Sequence, residues 1–321
     1  KKGYKLKENI LITGGTGFVG THLVEELINQ GISPESIHVT TLNKKPHPFL
    51  DKVLPETNFH QINLTEPEPV LELFSLLSPA VIYNLASFSA PGLSLEKKSL
   101  TLSVNTNIQL NVLEAMLAHT PQARLLSIGS GTEYAQSPHP LTETSPIGPR
   151  NPYAVSKATQ DMLAHSYHTS YDLDIVRVRP FNHIGEFQAR GFVIPDFVYQ
   201  ITQEIEKGVK DSIHVGNLDV RRDFSDVKDV VKAYVLLMSQ GISGEVYNIG
   251  SGIDISIQEL LEKLKSFSSI DFPIIIDEDK KRSGETDVSV ADISKIRALG
   301  WEPTIPIDTT LKRIVQWWRN Q

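Results

Sequence analysis

The sequence has no cysteine among its 321 residues. That absence excludes disulfide bonds, thiolate metal sites and a cysteine nucleophile, and we predict no metal site. Long apolar runs are also missing, because none approaches the ~18 residues of a membrane-spanning helix. The basic N-terminal segment KKGYKLKEN leads into a short strand, without the apolar core of a signal peptide. We therefore expect a soluble, cytoplasmic protein with no membrane as partner.

An excess of positive charge is lacking too. The 31 Lys and Arg residues are outnumbered by 38 Asp and Glu, which gives a formal net charge of −7. Nucleic acids and anionic membrane surfaces attract basic proteins, so this balance supports neither as a partner. The chain also lacks internal repeats and low-complexity segments. Its length suffices for a large core or for two unequal lobes.

Glycine is concentrated in one N-terminal stretch, NILITGGTGFVGTHLVEELINQG, which runs from Asn9 to Gly31. Apolar residues from Ile10 to Ile12 indicate a short buried strand. After the glycines, apolar residues recur at the spacing of one helix face: Leu23, Val24, Leu27 and Ile28. A strand, a glycine turn and a helix N-terminus in this order form a cradle for a phosphate group, because the free N–H groups and the dipole of the helix favour an anion.

The glycines of this turn have predicted parts in binding a dinucleotide. Gly14 allows the tight turn, Gly17 lets a pyrophosphate approach the backbone, and Gly20 lets the helix pack close to the strand. The intervening residues are predicted to contact the same cofactor: Thr16, Phe18 and Val19. The alternative is an ordinary strand, loop and helix with incidental glycines. The position between a strand and an amphipathic helix favours dinucleotide binding.

The end of the second predicted strand, Ile37 to Leu42, bears on the choice of cofactor. An acidic residue there would bind the ribose hydroxyls of NAD. Thr41, Asn43 and Lys44 stand there instead. These residues favour NADPH, or tolerance of both NADPH and NADH. The open alternative is that Lys44 is an ordinary solvated loop charge.

Strands and helices alternate through the first half of the chain. We predict strands over Phe59 to Leu64, Ala80 to Ala86 and Arg124 to Ile128, with a helix over Thr106 to Leu117. Such alternation indicates parallel βαβ units and therefore a doubly wound α/β sheet of the Rossmann type. The ends of strands three and four are expected to face the cofactor through four residues: Asn63, Leu64, Leu85 and Ala86.

Three candidate catalytic residues follow strand five: Ser130, and then Tyr153 and Lys157. Ser130 comes just after the strand, while Asn151 as N-cap and Pro152 as first helical residue place Tyr153 and Lys157 four apart on one helix face. A tyrosine of pKa near ~10 is a poor acid at neutral pH. A nearby ammonium lowers that pKa, so Tyr153 is predicted to protonate a carbonyl oxygen as hydride arrives, while Ser130 hydrogen-bonds the same oxygen. Taken alone, the tyrosine and lysine pair has a plain surface pair as its alternative.

Together these motifs resemble the extended short-chain dehydrogenase/reductase family, in its sugar-nucleotide branch, over nearly the whole chain. The resemblance rests on GGTGFVG, Asn84-Leu85-Ala86, Asn105, Ser130, and Tyr153 with Lys157. It implies that Ser130, Tyr153 and Lys157 are catalytic and that Asn105 supports the architecture of the active site. It also implies that Tyr153 and Lys157 contact the cofactor, which is NADPH or NADH, and that the substrate is a sugar nucleotide.

The family includes 4,6-dehydratases, 4-epimerases and 4-reductases. The dehydratases need a carboxylate two residues after the serine or threonine, and Thr132 stands there, where it is expected to contact the substrate. Glu133 is one step further and, by alternation, should point elsewhere. The epimerases usually carry an acid at the end of strand two, where this chain has Thr40 and Thr41. Both departures favour a reductase.

The second half carries further residues expected at the substrate. The segment RPFNHIG resembles the RPFNHxGP motif of enzymes acting on GDP-sugars, with Glu186 in place of the final proline. The resemblance implies that Asn182 and Arg222 contact the diphosphate of the sugar nucleotide. By the same likeness, Arg282 lies on a phosphate and Glu285 on a nucleotide ribose.

The expected architecture is a Rossmann domain with a smaller C-terminal α/β substrate-binding lobe. We predict the cofactor domain over 1–179 plus about 224–250, and the substrate domain over about 180–223 plus 251–321. Three helices are predicted in the second half: one from about Asp226 to Met238, one opened by the capping box of Ser256 and Glu259, and a last one capped by Asp308.

The resemblance is strongest to enzymes that reduce a 4-keto-6-deoxy sugar carried on GDP. It implies NAD(P)H-dependent reduction of the C4 ketone of GDP-4-keto-6-deoxy-D-mannose to GDP-D-rhamnose, as in deoxysugar biosynthesis. One alternative is an NDP-sugar 4-epimerase of the same family. Another is a catalytically idle protein that binds and senses the cofactor, although the intact Ser130, Tyr153 and Lys157 disfavour it.

A homodimer is expected, because family members pair two helices with their copies in a four-helix bundle. Here these helices lie around Asn107–Leu117 and Pro152–Tyr167. Seven side chains on them are predicted to offer more apolar surface than one sheet face needs: Ile108, Val112, Ala115, Met116, Ala158, Met162 and His165. The alternative is that all of them pack within one subunit.

Overall fold

A computed structural model describes residues 9–42, 47–89, 96–277 and 288–321 of the chain. Its strands are β1 (Ile10–Thr13), β2 (Ile37–Thr41), β3 (Phe59–Gln61), β4 (Val81–Asn84), β5 (Arg124–Ile128), β6 (Asp174–Pro180), β7 (Asn182–Ile184), β8 (Ile213–Val215), β9 (Arg221–Asp226), β10 (Val246–Ile249), β11 (Asp254–Ser256), β12 (Ile274–Ile276) and β13 (Val288–Ser289).

The α-helices within the same residues are α1 (Phe18–Asn29), α2 (Leu50–Val53), α3 (Pro67–Leu77), α4 (Lys98–His119), α5 (Pro152–Tyr171), α6 (Val193–Tyr199), α7 (Val227–Gln240), α8 (Ile257–Ser266), α9 (Ser294–Arg297) and α10 (Ile307–Arg319). A π-helical turn, Gln200–Ile205, continues α6. Across these ranges, no helix is both long enough and apolar enough to pass through a bilayer.

Seven strands form one sheet in the order β10-β6-β5-β4-β1-β2-β3, and every neighbouring pair is parallel. Helices connect successive strands, as parallel pairing requires. The interior strand β1, between β4 and β2, is buried along its whole length, as expected of the nearly apolar sequence ILIT in a parallel sheet covered on both faces. The predicted doubly wound α/β fold is confirmed.

Two apolar clusters cover the seven-stranded sheet, and a third lies outside it. The third is built from residues between Ile184 and Phe224 and between Ile255 and Trp318, around a four-stranded sheet of β7, β9, β11 and β13. Helix α7 and residues Ile293 to Trp301 pack instead with the large sheet. The predicted division into two domains stays a prediction, and these last residues pack with the cofactor side rather than the substrate side.

Local capping signals mark several helix starts as predicted. Asn151 Oδ1 accepts a hydrogen bond from Ala154 N at 2.8 Å, and Pro152 is the first residue of α5. Ser256 and Glu259 form the predicted capping box of α8. These ends are readable from sequence because their partners lie within three residues.

Other element ends differ from the sequence prediction. Helix α4 begins at Lys98 rather than Thr106. Strand β3 ends at Gln61 rather than Leu64, because Asn63 Oδ1 accepts from Thr65 N at 3.1 Å and turns the chain towards α3. The last helix begins at Ile307, so Asp308 lies in its first turn and is not its cap.

The apolar residues predicted to form a dimer face lie mostly inside one subunit, so that part of the prediction is wrong. Five of the seven are buried against neighbouring elements of the same chain: Ile108, Val112, Ala115, Met116 and Ala158. They fill the core because α4 packs between α3 and α5. Large apolar side chains that are exposed on α4 and α5 are Leu100, Val155, Met162 and Tyr171.

Candidate active site

One long cleft of about 2310 Å³ opens where the strands of the large sheet end. Its position is the usual ligand site of an open parallel sheet, beyond the carboxyl ends of the strands. Most of the predicted site residues line it: Gly14, Thr16, Gly17, Phe18, Val19, Gly20, Thr41, Asn63, Leu64, Leu85, Ala86, Ser130, Thr132, Tyr153, Lys157, Asn182 and Arg222. Four others fall outside the described residues: Asn43, Lys44, Arg282 and Glu285.

The glycine turn closes one end of this cleft. Gly14 has φ +63°, and a Cβ atom there would lie 3.0 Å from the Cα of Ala86, at the end of β4. Gly17 N donates to Gly14 O at 3.0 Å, and Gly17 is the N-cap of the twelve-residue helix α1 without any side chain to cover its N–H groups. Open N–H groups at the start of a helix are what an anion such as a pyrophosphate binds.

Gly20 allows close packing as predicted, but against the glycine turn and not against the strand. A Cβ atom on Gly20 would lie 2.5 Å from the carbonyl oxygen of Gly15, in the turn rather than in the strand. A Cβ atom on Gly15 would in turn lie 2.5 Å from Val39 of β2. Gly20 therefore packs α1 against the turn, and Gly15, which the sequence analysis did not single out, packs the turn against the sheet.

The end of β2 is polar and neutral over the described residues. Thr40 Oγ1 accepts a hydrogen bond from Gly14 N at 2.9 Å, so this threonine holds the glycine turn. Thr16 and Thr41 face each other with their hydroxyl oxygens 3.1 Å apart. Two hydroxyls thus stand on the wall where an acidic residue would select NAD.

Asn105 is the one described candidate that does not reach the cleft. It is fully buried, its Oδ1 accepts from Phe88 N at 2.6 Å, and its Nδ2 donates to Ser156 Oγ at 2.8 Å. These bonds join the segment after β4 to helix α5. Asn105 thereby holds together the segment and the helix that border the cleft, and the supporting role in the active site that the resemblance implies stays a prediction.

Ser130 lies at the end of β5 and caps a short 3-10 turn, Gly131–Glu133. Its Oγ is 2.8 Å from Thr132 Oγ1 and accepts from Thr132 N at 3.2 Å. The phenol of Tyr153 is hydrogen-bonded to the same serine. The predicted serine and tyrosine are therefore neighbours in the wall of the cleft.

Lys157 lies one helical turn after Tyr153 and is buried. Its Nζ donates to Ile128 O, the last residue of β5, at 3.0 Å. Burial lowers the pKa of Lys157 to about 8, although the charge of Glu133 opposes the fall. The amine is therefore close to losing its proton just above neutral pH.

The surroundings of Tyr153 act on its pKa in the direction opposite to the one predicted. Burial, and then the charge of Glu133, raise the pKa of Tyr153 to about 12, although the hydrogen bond with Ser130 opposes the rise. The predicted lowering of the Tyr153 pKa by Lys157 is therefore not found in this structure, where burial and the carboxylate of Glu133 determine the direction of the shift. At neutral pH the phenol keeps its proton.

As the sequence predicts, the position two residues after Ser130 has no carboxylate, and the carboxylate of Glu133 points away from the cleft. Thr132 is exposed to the cleft at the position where a dehydratase has its acid. Glu133 is fully buried, and its Oε2 lies 3.2 Å from Arg179 Nε. Since Glu133 points into the protein, its carboxylate is not available to a substrate in the cleft.

The far wall of the cleft carries Asn182 and Arg222. Asn182 is exposed and its Nδ2 donates to Asp223 O at 3.2 Å, while Arg222 Nη1 donates to Arg221 O at 2.8 Å. The two residues come from the paired strands β7 and β9. Their positions suit a polar, anionic part of a ligand, and their roles stay a prediction.

Glu186, the departure from the RPFNHxGP pattern, has a structural partner. It forms a two-point ion pair with Arg313 of α10, at 2.8 Å and 2.9 Å. Arg313 also donates to Asp226 Oδ2 at 2.9 Å. A proline at position 186 could not form this ion pair. Glutamate there therefore links the segment after β7 to helix α10.

Two features of the site are not indicated by any sequence pattern. Tyr234 of α7 is buried, lines the cleft and lies close enough to Tyr153 for their charges to interact. Glu133 and Arg179 meet beneath Ser130, although 46 residues separate them in sequence. Only the tertiary fold brings these groups together, and no local pattern marks them.

Known proteins similar to this chain were identified by sequence and by structure. A sequence model of the family described as GDP-mannose 4,6 dehydratase matches residues 11–314. A GDP-6-deoxy-D-mannose reductase from Pseudomonas aeruginosa is 31% identical over 98% of this chain and 99% of that protein. A putative UDP-glucose 4-epimerase from Methanocaldococcus jannaschii is 28% identical over 97% and 98%.

A solved structure gives the same picture. The structure of RMD from Pseudomonas aeruginosa complexed with NADPH superposes with a TM-score of 0.83 at 31% identity, covering 98% of this chain and 99% of that one. The similarity extends over both the large sheet and the smaller cluster, since nearly the whole chain is covered.

Proposed function

The chain belongs to the GDP-mannose 4,6 dehydratase family of extended short-chain dehydrogenase/reductases, and we propose that it reduces a keto sugar carried on GDP. It is an NAD(P)-dependent enzyme of sugar-nucleotide metabolism. The substrate we propose is GDP-4-keto-6-deoxy-D-mannose, and the product is GDP-D-rhamnose. A named relative of 31% identity that acts on a GDP-6-deoxy sugar supports this choice.

The glycine turn fits a nicotinamide dinucleotide. Gly14 and Gly17 leave the start of α1 bare, so its N–H groups are free to hold the pyrophosphate. Ala86 and Leu85 form an apolar wall beside the turn. When bound, the reduced cofactor supplies the hydride. The threonine pair at the end of β2 and the sequence KK that follows it favour NADPH.

Proton transfer is the task of Tyr153 and Ser130. The pKa of Tyr153 is raised to about 12 by burial and by Glu133, so the phenol is protonated and can donate to the C4 oxygen. Ser130, hydrogen-bonded to Tyr153, shares that oxygen and orients it. Lys157 lies one helical turn further along α5, where we propose that it contacts the cofactor and offsets part of the negative charge left on the phenolate once the proton has gone.

One observation supports reduction over the other reactions of the family. Ser130 and Tyr153 lie together at the cleft, whereas the nearby carboxylate, Glu133, points away from it. Dehydration needs a base at the place of Thr132, and a threonine hydroxyl cannot take the C5 proton. Glu133 cannot replace it, because it is buried against Arg179. These residues protonate a ketone and lack a base for removing water.

The substrate lies, in this proposal, between Ser130 and the far wall. Asn182 and Arg222 would contact the diphosphate, since a planar guanidinium suits paired phosphate oxygens. Arg282 and Glu285 are proposed from sequence alone to bind a phosphate and the nucleotide ribose. The two domains proposed from the sequence would then each hold one ligand.

A 4-epimerase is the second candidate, favoured by the similarity to a putative UDP-glucose 4-epimerase. An epimerase oxidises and then reduces the same carbon, so it consumes no cofactor overall. A reductase consumes one NADPH for each ketone. The amount of NADPH oxidised for each sugar converted therefore distinguishes a reductase from an epimerase.

The test follows NADPH and sugar together. Purified protein is given GDP-4-keto-6-deoxy-D-mannose and NADPH, and we expect one NADPH oxidised for each keto sugar consumed. Parallel incubations contain GDP-mannose or UDP-glucose with NAD. Conversion of UDP-glucose without net change of cofactor would favour the epimerase, and a 4-keto product from GDP-mannose would contradict the interpretation of Thr132.

A further inference from the structure

The carboxylate of Glu133 lies directly beneath the proposed catalytic residues. Its Oε1 accepts a hydrogen bond from Ser130 N at 2.6 Å, and the side chain has no exposed surface. Space for it exists because residue 129 is glycine: a Cβ atom on Gly129 would lie 2.4 Å from the same oxygen. Ser130 is thus held through its backbone from below, while its hydroxyl faces the cleft.

Buried charges surround this carboxylate. From β6, Arg179 Nε approaches Glu133 Oε2 at 3.2 Å, and Arg179 Nη2 donates to Asp161 Oδ2 of α5 at 2.5 Å. Arg177, also on β6, reaches Asp161 at 3.1 Å. Two carboxylates and two guanidinium groups therefore form one network between β6, α5 and the turn after β5, and Lys157 on α5 faces it from the cleft side.

Tyrosines border the same network. The guanidinium of Arg179 lies 4.9 Å from the centre of the Tyr134 ring, whose hydroxyl donates to Asn248 at 2.7 Å. Glu143 lies beyond Tyr134 and acts on its charge. On the cleft side, Tyr153 faces Glu133 from α5.

Glu133 acts on both titrating groups of the site in one direction. Burial and then Glu133 together raise the pKa of Tyr153 to about 12, whereas burial lowers the pKa of Lys157 to about 8 against an upward effect of Glu133. Burial and Asp161 raise the pKa of Glu133 itself, while Arg179 opposes them. The charge of Glu133 therefore depends on its two buried neighbours.

We propose that Glu133 is a positioning residue for the reaction: its buried carboxylate holds Ser130 by the backbone N–H and places an acidic group directly beneath Tyr153 and Lys157. The inference rests on the proposed function of that site. It adds a third group, out of reach of the substrate, that determines when the catalytic pair is protonated. Burial and Asp161 raise the pKa of Glu133 to about 8, so its negative charge develops in the alkaline range, where the tested limb of the pH profile lies. That charge, and not the side-chain shape alone, is the active element.

The test replaces Glu133 by its neutral isostere. Glu133→Gln retains an oxygen for Ser130 N but has no charge, so the pKa values of Tyr153 and Lys157 should both fall. We expect the alkaline limb of the pH profile of kcat to move to lower pH by about 1 unit. The matched control is Glu143→Gln, whose Oε1 likewise accepts from a backbone N–H, that of Asn248, at 2.9 Å. The control should leave the limb in place.

An alkaline limb that stays at the wild-type pH in folded Glu133→Gln would overturn the inference, as would an equal shift in the control. A second variant covers the case in which Glu133→Gln fails to fold. Asp161→Asn removes the charge that opposes ionisation of Glu133, so the limb should move to higher pH. An unmoved limb, or a shift to lower pH, in that variant would also overturn it.

The proposed function is tested separately by Tyr153→Phe. If that variant keeps near-native turnover, the proposed acid is wrong whatever Glu133 does. If it loses turnover while Glu133→Gln keeps the wild-type pH profile, the site stands and only the part of Glu133 is refuted.

Discussion

At the scale of single residues, the state of the Tyr153 phenol decides which reactions the site can perform. Burial and the charge of Glu133 raise the pKa of Tyr153 to about 12, so over the neutral range the group is an acid and not a base. A protonated phenol hydrogen-bonded to Ser130 is what reduction of a ketone requires. The proton is lost only as the pH rises towards that pKa, or earlier if Glu133 is neutralised.

Replacing Tyr153 by phenylalanine removes the proton and retains the ring. We expect Tyr153→Phe to reduce turnover by a factor on the order of 10² or more, with little change in the affinity for NADPH. Single-turnover kinetics and fluorescence titration of NADPH measure the two quantities. Tyr199→Phe, on a ring that packs against Trp318, is the control and should keep wild-type turnover.

Single residues also show where prediction from sequence ends. Ser130, Tyr153 and Lys157 were recognisable because their spacing and neighbours are local. Glu133 was expected only to point away from the cleft, and its bonds to Ser130 and Arg179 were not foreseen. The direction of the Tyr153 pKa was missed for the same reason, since it depends on burial and on a carboxylate that only the fold brings near.

At the scale of elements, helix α5, which carries Tyr153 and Lys157, and the last helix, α10, are held in place by different interactions. Helix α5 begins at a cap that lies within three residues and was predicted correctly. Helix α10 is fixed by long-range charge: Arg313 bonds Glu186 at 2.8 Å and Asp226 at 2.9 Å, and Thr310 donates to Asp226 at 2.6 Å. The sequence shows that Glu186 departs from the RPFNHxGP motif, but it does not indicate that Arg313 is its partner.

Loss of Arg313 should therefore destabilise the fold. Arg313→Ala leaves the fully buried carboxylate of Asp226 without its cation, and we expect the free energy of unfolding to fall by about 2 kcal/mol, since removing one partner of a buried pair is costly. Urea unfolding followed by circular dichroism measures the change. Arg319→Ala, which breaks the exposed pair with Glu206, is the control and should cost below about 1 kcal/mol. Equal losses in the two variants would contradict this assignment.

At the scale of the whole molecule, the parallel sheet could be predicted because strand and helix periodicity alternate along the chain. The assembly could not be predicted as securely. The predicted dimer face was drawn from apolar residues that fill the core, whereas the exposed apolar side chains on α4 and α5 include Val155 and Met162, two helical turns apart on one face. When a helix has apolar side chains on two faces, the sequence alone does not show which face is buried in the subunit and which is exposed.

We still propose a homodimer through α4 and α5, now centred on these exposed residues. A charge at the centre of such a symmetric face would be buried twice, so Met162→Glu should give a monomer in light scattering at micromolar concentration, while the wild type gives a dimer. Val209→Glu is the control, because Val209 is equally exposed, 69% against 68%, but lies away from both helices. A wild-type monomer with full activity would refute the dimer.

Transfer of hydride in this cleft to the C4 ketone of a GDP-linked sugar can be followed with an isotope label. GDP-4-keto-6-deoxy-D-mannose is incubated with the protein and with NADPH that carries deuterium at the transferring position, and the sugar product is examined by proton and deuterium NMR. We predict GDP-D-rhamnose with deuterium at C4 of the hexose, and none of it with Tyr153→Phe on the same timescale. A keto sugar recovered unchanged beside intact NADPH, or a product with no deuterium at C4, would contradict the claim.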